Sequence, residues 1–384
     1  MSEQQLDYKK GLEGVIAAES KICKVNGEEG KLYYLGYPID VLVANSDFEE
    51  VTYLLLNGDL PTAAQLEDFR RRMREGRHLK QPILDMIRSF PRDSHPMELL
   101  QSVVSYLSGY VDHKIHHSAY CNCRQTLHQV SQIASVIAAF YRMREGLEYV
   151  PPRDDLNHGA NFLYMLHGEE PESVDGQIMD KCLVLHAEHS LNASTFTARV
   201  VASTQSTCYS SISAAMGALY GSLHGGANEK VMAMVDEIGD VKQVETYINK
   251  KLEKKEKVMG MGHRVYRAKD PRAIVMEGFL EDLSTRKGNR TYLDILKTVE
   301  KTFRSIMEEE GKPIYPNVDF FSGAVYRLLG IPTHLFTPVF AAARASGWLA
   351  HILEQREREQ RLFRPKALYV GDIDKELKPI NLRA

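Results

Sequence analysis

Three short segments of the chain carry residue types suited to removing a proton from carbon. The residues are Asp319 in PNVDFFSG (316–323), His224 in GSLHGGANE (221–229) and His263 in VMGMGHRVYRAKDPR (258–272). A carboxylate among aromatic neighbours is desolvated, which makes it a stronger base than the same group in water. A histidine that donates a hydrogen bond can stabilise the negative charge that then develops. Asp319 as the base and a histidine as the donor would therefore suit enolisation next to a carbonyl.

Two of these segments also have a purely structural interpretation. An Asp that follows Pro316 and Asn317 is a good helix N-cap, and for this stretch alone the cap is the favoured role. His224 comes just before two glycines and the start of a helix, where Gly226 and Asn228 are the candidate caps. A capping loop with a satisfied polar histidine would give the same pattern. The segments by themselves leave both interpretations open.

The glycine-rich segment around His263 favours an anion. Gly260 and Gly262 precede a run of basic residues that ends at Arg272, and such a turn suits a phosphate or a dicarboxylate. Solvated basic residues on a loop are the alternative. A dinucleotide-binding turn is excluded, because Val265 stands where Gly-x-Gly-x-x-Gly needs its last glycine.

Composition excludes several classes of function. The 384 residues include 48 Lys and Arg against 51 Asp and Glu, a net charge of −3, which gives no general attraction to nucleic acid or to an anionic membrane. The first residues, MSEQQLDYKKGLEGV, contain no apolar signal-peptide core, and the most apolar windows fall short of the ~20 residues of a membrane helix. Five scattered cysteines indicate reduced thiols. We therefore expect a cytoplasmic protein.

A cluster of histidines and cysteines in HKIHHSAYCNC (113–123) resembles a metal site only superficially. Its members are His113, His116, His117, Cys121 and Cys123. Cys-x-Cys is tighter than the usual zinc pair, and no second pair follows at a suitable distance. We expect a polar connection between helices here, and no bound metal.

The periodicity of the apolar residues predicts a nearly all-α fold. Residues 21–36 read as a short β-hairpin around an Asn-Gly turn. Beyond the hairpin, apolar residues recur at helical spacing in four stretches, namely 99–107, 130–140, 178–185 and 334–358. Turn signals at 150–159 and 166–173 open and separate further helices. Arg344 interrupts the apolar middle of the last stretch, which ends in a charged run expected to be solvated.

Four motifs occur in order along the chain, namely LHAEHSLNASTFTARV (185–200), GSLHGGANE, MGMGHRVYRAKDPRA and YPNVDFFSG. Together they closely resemble the citrate synthase family, in its short-chain, dimeric type, and the resemblance runs from GLEGV at residue 11 to RPKALYVG at 364–371. It implies a two-domain helical fold. Residues 1–223 and 331–384 would form a large domain and residues 224–330 a small one, with the active site in the cleft between them. It also implies a homodimer whose subunits complete each other's sites.

The resemblance implies a role for each candidate catalytic residue. Asp319 would take a methyl proton from acetyl-CoA, and His224 would hydrogen-bond the thioester oxygen and stabilise the enol. His263 would polarise the ketone of oxaloacetate, which the enol carbon attacks, and the citryl-CoA formed would be hydrolysed. Acetyl-CoA is then a substrate, so no cofactor is expected.

The substrate contacts follow from the same motifs. Oxaloacetate would be held by His189, Arg272 and Arg344, with Arg364 reaching in from the other subunit, because a planar guanidinium matches a carboxylate. A substrate carboxylate would also explain a charge inside the apolar stretch at Arg344. The residues implied for CoA are Met259, Gly260, Gly262, Arg267, Lys312 and Asn317.

Two alternatives remain beside citrate synthase. The departures from the common family pattern, Ser222 and Ser190, remove no functional group but leave fine specificity open.

A 2-methylcitrate synthase would use propionyl-CoA through the same residues, and one methyl group changes discrimination by only ~1–3 kcal/mol in an apolar pocket. A catalytically silent helical scaffold would be marked by loss of a reacting group, whereas His224, His263 and Asp319 are all present.

Overall fold

The computed structural model describes residues 8–110, 123–263 and 265–383, and it is mostly helical. Three short strands form one antiparallel sheet near the start: β1 (Cys23–Asn26), β2 (Lys31–Tyr34) and β3 (Tyr37–Pro38). The described residues contain sixteen α-helices. They are α1 (Ile39–Asn45), α2 (Phe48–Asn57), α3 (Ala63–Gly76), α4 (Gln81–Ser89), α5 (Pro96–Leu107), α6 (Cys123–Arg144), α7 (His158–His167), α8 (Ser173–His186), α9 (Ala193–Ser203), α10 (Cys208–Tyr220), α11 (Ala227–Ile238), α12 (Val244–Glu253), α13 (Pro271–Arg286), α14 (Thr291–Glu309), α15 (Val318–Leu328) and α16 (Phe336–Glu354). The all-α class is confirmed.

The N-terminal hairpin is confirmed, but its turn differs from the prediction. Asn26 is the last residue of β1 and pairs with Lys31, so the connection has four residues, Gly27–Gly30. The Asn26 side chain accepts a hydrogen bond from the backbone N–H of Glu29 at 3.2 Å, which stabilises this longer turn. A third strand, β3, pairs with β2 and was not predicted.

The first three predicted helical stretches lie within α5, α6 and α8, and the fourth, 334–358, covers α16 and extends beyond it at both ends. The charged run REREQR (356–361) after α16 is exposed or half-buried, as predicted, but residues Gln355–Glu359 form a π-helix and the Gln355 side chain before the run is buried. Buried Arg199 holds this turn through hydrogen bonds to Gln355 Oε1 at 2.9 Å and Glu354 Oε2 at 3.1 Å. The π-helix thus redirects the chain from α16 into the exposed segment that follows.

Helix α16 organises the core around the candidate site. Nearly all of its residues are buried, and it packs against α2, α6, α8, α9 and α10. Helices α11 to α15 pack mainly on one another, with α15 against both α11 and α13. The candidate residues for catalysis and oxaloacetate binding lie at or before the starts of α9, α11, α13 and α15 and in the middle of α16, except Arg364, which follows the π-helix.

The predicted polar connection at the histidine and cysteine cluster (113–123) falls outside the described part of the chain. His113, His116, His117 and Cys121 lie outside the described residues, as does the side chain of Cys123. In the described ranges, no helix combines the length and the apolar character needed to cross a bilayer.

Candidate active site

Asn317, and not Asp319, caps helix α15. The Asn317 side chain accepts a hydrogen bond from the backbone N–H of Asp319 at 3.0 Å, which puts Asp319 inside the first helical turn. The favoured interpretation of Asp319 as the cap is therefore wrong. Its side chain is half-buried beside the buried rings of Phe320 and Phe321, and no donor from another described residue binds the carboxylate. Burial raises the pKa of Asp319 to about 6.

The same asparagine joins the glycine turn to this helix. Asn317 Nδ2 donates to the carbonyl of Gly262 at 2.8 Å, and its backbone N–H donates to the carbonyl of Gly260 at 3.0 Å. Gly260 has a φ of +75°, and a Cβ there would lie 2.9 Å from the Cα of Phe320. Only glycine fits this approach. The turn and the first residues of α15 therefore form one unit.

The predicted CoA residues divide into two groups. Met259, Gly260, Gly262 and Asn317 lie together in this unit, next to the candidate base. Arg267 and Lys312 are exposed, and Lys312 pairs with Glu310 at 3.3 Å. These two cations lie at the surface.

His224 is held in a single neutral form. Its Nε2 accepts a hydrogen bond from the backbone N–H of Ser194 at 3.2 Å, so the proton of the neutral ring is on Nδ1. The Ser194 hydroxyl lies 2.9 Å from the same nitrogen and itself accepts from Trp348 Nε1 at 3.1 Å. Burial, and secondarily Arg344, lowers the pKa of His224 to about 4. The ring is therefore an N–H donor at neutral pH.

His224 and Asp319 line one small cavity, together with Thr337, Phe340 and Asn228. Gly226 caps α11 through its backbone, with a φ of +71°, so Asn228 is not the cap. The Asn228 side chain is buried, and its Nδ2 has no partner in the described parts of the chain. Asn228 was not predicted as a pocket residue, because an asparagine near a helix start is typical of a cap.

His263 is also fixed in one neutral form, with the opposite nitrogen protonated. Its Nδ1 accepts hydrogen bonds from the backbone N–H groups of Val265 at 3.0 Å and Tyr266 at 3.2 Å, which leaves Nε2–H as the donor. Burial, and secondarily Arg272, lowers the pKa of His263 to about 4. The ring of His189 lies edge-on to that of His263, with centroids 5.3 Å apart, and burial holds the pKa of His189 well below its usual value.

Two buried arginines flank these histidines. Arg272 forms a two-point ion pair with Asp270, at 3.1 and 2.7 Å, and burial opposes its charge while Asp270 raises its pKa. Arg344 donates from Nε to the carbonyl of His186 at 2.7 Å and lies over the ring of Phe340. Its terminal nitrogens bind no described residue, and burial lowers its pKa. No described carboxylate forms an ion pair with this buried cation, although the buried Glu188 acts to raise its pKa.

Arg364 does not join this cluster within one chain. It is exposed in the segment after the π-helix and makes no hydrogen bond or ion pair with other described residues. Several apolar side chains of this segment are also largely exposed, among them Leu368, Tyr369 and Val370.

The charges of the site suit an anion better than a metal ion. Ligand atoms of His189, His263 and Asp270 lie within 4.8 Å of one another, a spacing that a metal could use. Both Asp270 oxygens, however, already bind Arg272, and a second arginine lies nearby. These positive charges oppose a cation and favour a carboxylate.

Comparison with known proteins agrees with this geometry. Residues 11–366 match the family model described as "Citrate synthase, C-terminal domain". A citrate synthase of Synechocystis sp. is 44% identical, covering 98% of this chain and 94% of the relative. A 2-methylcitrate synthase of Corynebacterium glutamicum is 41% identical, covering 98% of both chains. A structure of citrate synthase from Thermoplasma acidophilum, in ternary complex with carboxymethyl coenzyme A and oxaloacetate, has a TM-score of 0.92 at 32% identity and covers 97% of this chain and 99% of that one. The chain belongs to the citrate synthase family.

Proposed function

We propose that the protein is a citrate synthase, which condenses acetyl-CoA with oxaloacetate and hydrolyses the citryl-CoA formed. One observation carries the proposal: two complementary groups line the same cavity. They are the carboxyl of Asp319, which has a raised pKa, and the neutral imidazole of His224, which is an N–H donor. Proton removal next to a thioester needs these two groups together. Relatives named citrate synthase over nearly the full chain support the same activity.

The first chemical step divides between these two residues. Asp319 removes a proton from the methyl group, and Nδ1–H of His224 donates to the thioester oxygen as it gains negative charge. Because Ser194 already occupies Nε2 of His224, the ring cannot present the wrong nitrogen. A neutral donor to the enol avoids burying an imidazolium near Arg344.

The second step uses the other histidine. Nε2–H of His263 polarises the ketone of oxaloacetate, and the enol carbon attacks that carbonyl carbon. Arg272 and Arg344 bind the two carboxylates, together with His189. A carboxylate at Arg344 would supply the counter-ion that its buried guanidinium lacks. Hydrolysis of the thioester then releases citrate and CoA.

The proposed CoA site is the unit formed by the glycine turn and Asn317. Met259, Gly260 and Gly262 would face the adenine, and the exposed Arg267 and Lys312 are available to phosphate. We divide the chain into residues 1–223 with 331–384 as the large domain and 224–330 as the small one. The mutual packing of α11 to α15 supports this division, and closure between the domains would exclude water.

The proposed assembly is a homodimer in which Arg364 enters the partner's site. The exposed arginine and the exposed apolar side chains around it support an exchange of the C-terminal segment between subunits. A cytoplasmic location is proposed as well, since Cys23 and Cys182 are free thiols, as in a reducing compartment.

The test is release of CoA thiol by the purified protein with oxaloacetate, using acetyl-CoA and propionyl-CoA in parallel. A higher kcat/KM for acetyl-CoA is expected. A clear preference for propionyl-CoA would instead establish 2-methylcitrate synthase, the function named for two relatives at 41% and 39% identity. Absence of thiol release with both thioesters would leave the scaffold as the function to pursue.

The rate should depend on pH through Asp319. The base form is lost as pH falls through its pKa of about 6, whereas His224 and His263, with pKa values of about 4, stay neutral there. We expect kcat/KM to be flat near neutral pH and to fall about tenfold per pH unit below about 6. Loss of thioester absorbance measures this across the range. A flat profile down to pH 5 would contradict Asp319 as the base.

Mixed dimers should reveal whether Arg364 acts across subunits. Asp319→Asn and Arg364→Ala homodimers are each expected to be nearly inactive. A hybrid dimer, purified through two different affinity tags after co-expression, would contain one site with both native residues. It should regain about half of the wild-type activity. A hybrid as inactive as its parents would show that Arg364 serves its own subunit, and a fully active Arg364→Ala homodimer would show that it serves neither site.

A further inference from the structure

The turn of the N-terminal hairpin, residues Gly27–Gly30, lies directly against the loop that follows His263. The carbonyl of Gly27 accepts a hydrogen bond from the backbone N–H of Arg267 at 2.9 Å. A Cβ on Gly27 would lie 2.1 Å from the carbonyl oxygen of Val265, and one on Gly30 would lie 3.0 Å from that of Lys269. The two backbones therefore touch with no room for a side chain at Gly27.

The loop under this turn sets the orientation of His263. The N–H groups of Val265 and Tyr266 are the donors to its Nδ1, so any shift of these residues moves the ring and its Nε2–H. Tyr266 also reaches His189, with its hydroxyl 3.2 Å from Nε2. The residues that contact the hairpin thus include those that hold both histidines.

The other end of the hairpin binds the segment before His189. The buried Tyr34 hydroxyl donates to the carbonyl of Glu188 at 2.9 Å and accepts from the backbone N–H of Glu188 at 3.2 Å. Strands β1 and β2 are paired over four residues, from Cys23 with Tyr34 to Asn26 with Lys31. One small sheet therefore connects the His189 segment to the His263 loop.

We propose that the hairpin is a positioning element for His263, and that Gly27 is its critical residue. The turn fixes loop 265–269, the loop fixes the Nδ1 contacts of His263, and these aim Nε2–H at the substrate carbonyl. The catalytic part of this proposal, the orientation of Nε2–H, rests on the proposed function. The contact between the turn and the loop does not depend on the proposed function. In the proposed domain division the hairpin belongs to the large domain and the loop to the small one, so the contact also joins the two across the cleft.

The decisive variant is Gly27→Ala, because the added methyl must displace the carbonyl of Val265. Amide hydrogen exchange in peptides covering 265–269 should become faster, and kcat should fall about a hundredfold, as expected when a reacting group is misplaced by about 1 Å. The melting temperature should change little, since the turn lies outside the core. Glu28→Ala is the control in the same turn, because the Glu28 side chain is exposed; it should match wild type in both measurements.

A second pair of variants separates docking from backbone strain. Gly30 and Gly36 both have positive φ, +63° and +89°, but only a Cβ at Gly30 meets the loop. Compared with Gly36→Ala, the Gly30→Ala variant should therefore show faster amide hydrogen exchange in 265–269 and a lower kcat.

Three outcomes would overturn the proposal. The first is hydrogen exchange and kcat in Gly27→Ala equal to those of wild type. The second is equal exchange in 265–269 and equal kcat for Gly30→Ala and Gly36→Ala. The third is faster exchange throughout Gly27→Ala together with a lower melting temperature, which would indicate a merely structural role. If wild type released no CoA at all, the proposed function would fail, while the exchange comparison would still decide whether the turn docks on the loop.

Discussion

Asp319→Asn is expected to lower kcat by about 10²- to 10⁴-fold, the usual contribution of a positioned general base. The amide has the same shape as the carboxyl but cannot accept a proton from carbon. No donor among the described residues depends on the carboxylate, because the cap of α15 is Asn317. The substitution therefore removes the base without removing a bond that holds the helix. Single-turnover release of CoA with acetyl-CoA and oxaloacetate measures the loss.

The stability of this variant distinguishes function from architecture. A carboxyl whose pKa is raised in the folded state opposes folding at pH values above its unfolded pKa, so removing its charge should leave the melting temperature at pH 7 unchanged or higher. Binding of oxaloacetate, followed by calorimetry, should be largely retained. Asn317→Ala is the matched control, and it should lower the melting temperature because it removes the cap and the bond to Gly262. Near-normal turnover of Asp319→Asn, or a loss of stability like that of Asn317→Ala, would contradict the assignment.

The case of Asn317 and Asp319 shows what the sequence could predict at the site. The motif places a helix start and a desolvated carboxylate correctly, because both depend on neighbours in the chain. Only Asp319 was predicted as the cap, whereas the actual cap, Asn317, is also held by the carbonyl of Gly262, which lies 55 positions away and binds the asparagine amide. A tertiary contact of this kind leaves no local pattern.

The tautomers of His224 and His263 could not be predicted from the sequence either. His224 and His263 were predicted as donors, but the nitrogen that carries the proton depends on backbone N–H groups of Ser194, Val265 and Tyr266. Every residue type except proline supplies such a group, so composition gives no signal for it. The docking of the hairpin turn was hidden for the same reason, since it is a contact between backbones.

Arg344 places a buried charge inside the apolar helix α16, and its proposed contact with a substrate carboxylate predicts the second large effect. Arg344→Met should raise the KM for oxaloacetate by about a hundredfold or more, because a buried charge contact with a substrate is worth about 2–5 kcal/mol. Methionine fills a similar volume on the apolar face of α16. Steady-state kinetics with varied oxaloacetate measures the effect, and the KM for acetyl-CoA should change far less.

The same substitution should stabilise the free protein. Arg344 is buried without an ion pair to any described carboxylate, and only the more distant buried Glu188 acts to raise its pKa. Removing a charge that lacks a direct partner should raise the free energy of unfolding by about 1 kcal/mol, even after the bond to the His186 carbonyl is lost. Arg77→Met provides the contrast, because Arg77 is equally buried but pairs with Glu49 at 2.8 Å. That variant should lose about 3 kcal/mol, because it removes the buried partner of Glu49 and leaves only the contact with Arg70 at 3.3 Å, and it should keep its KM. If Arg344→Met were destabilised like Arg77→Met, the arginine would be a structural partner within the fold, and the substrate carboxylate would no longer be needed to explain its burial.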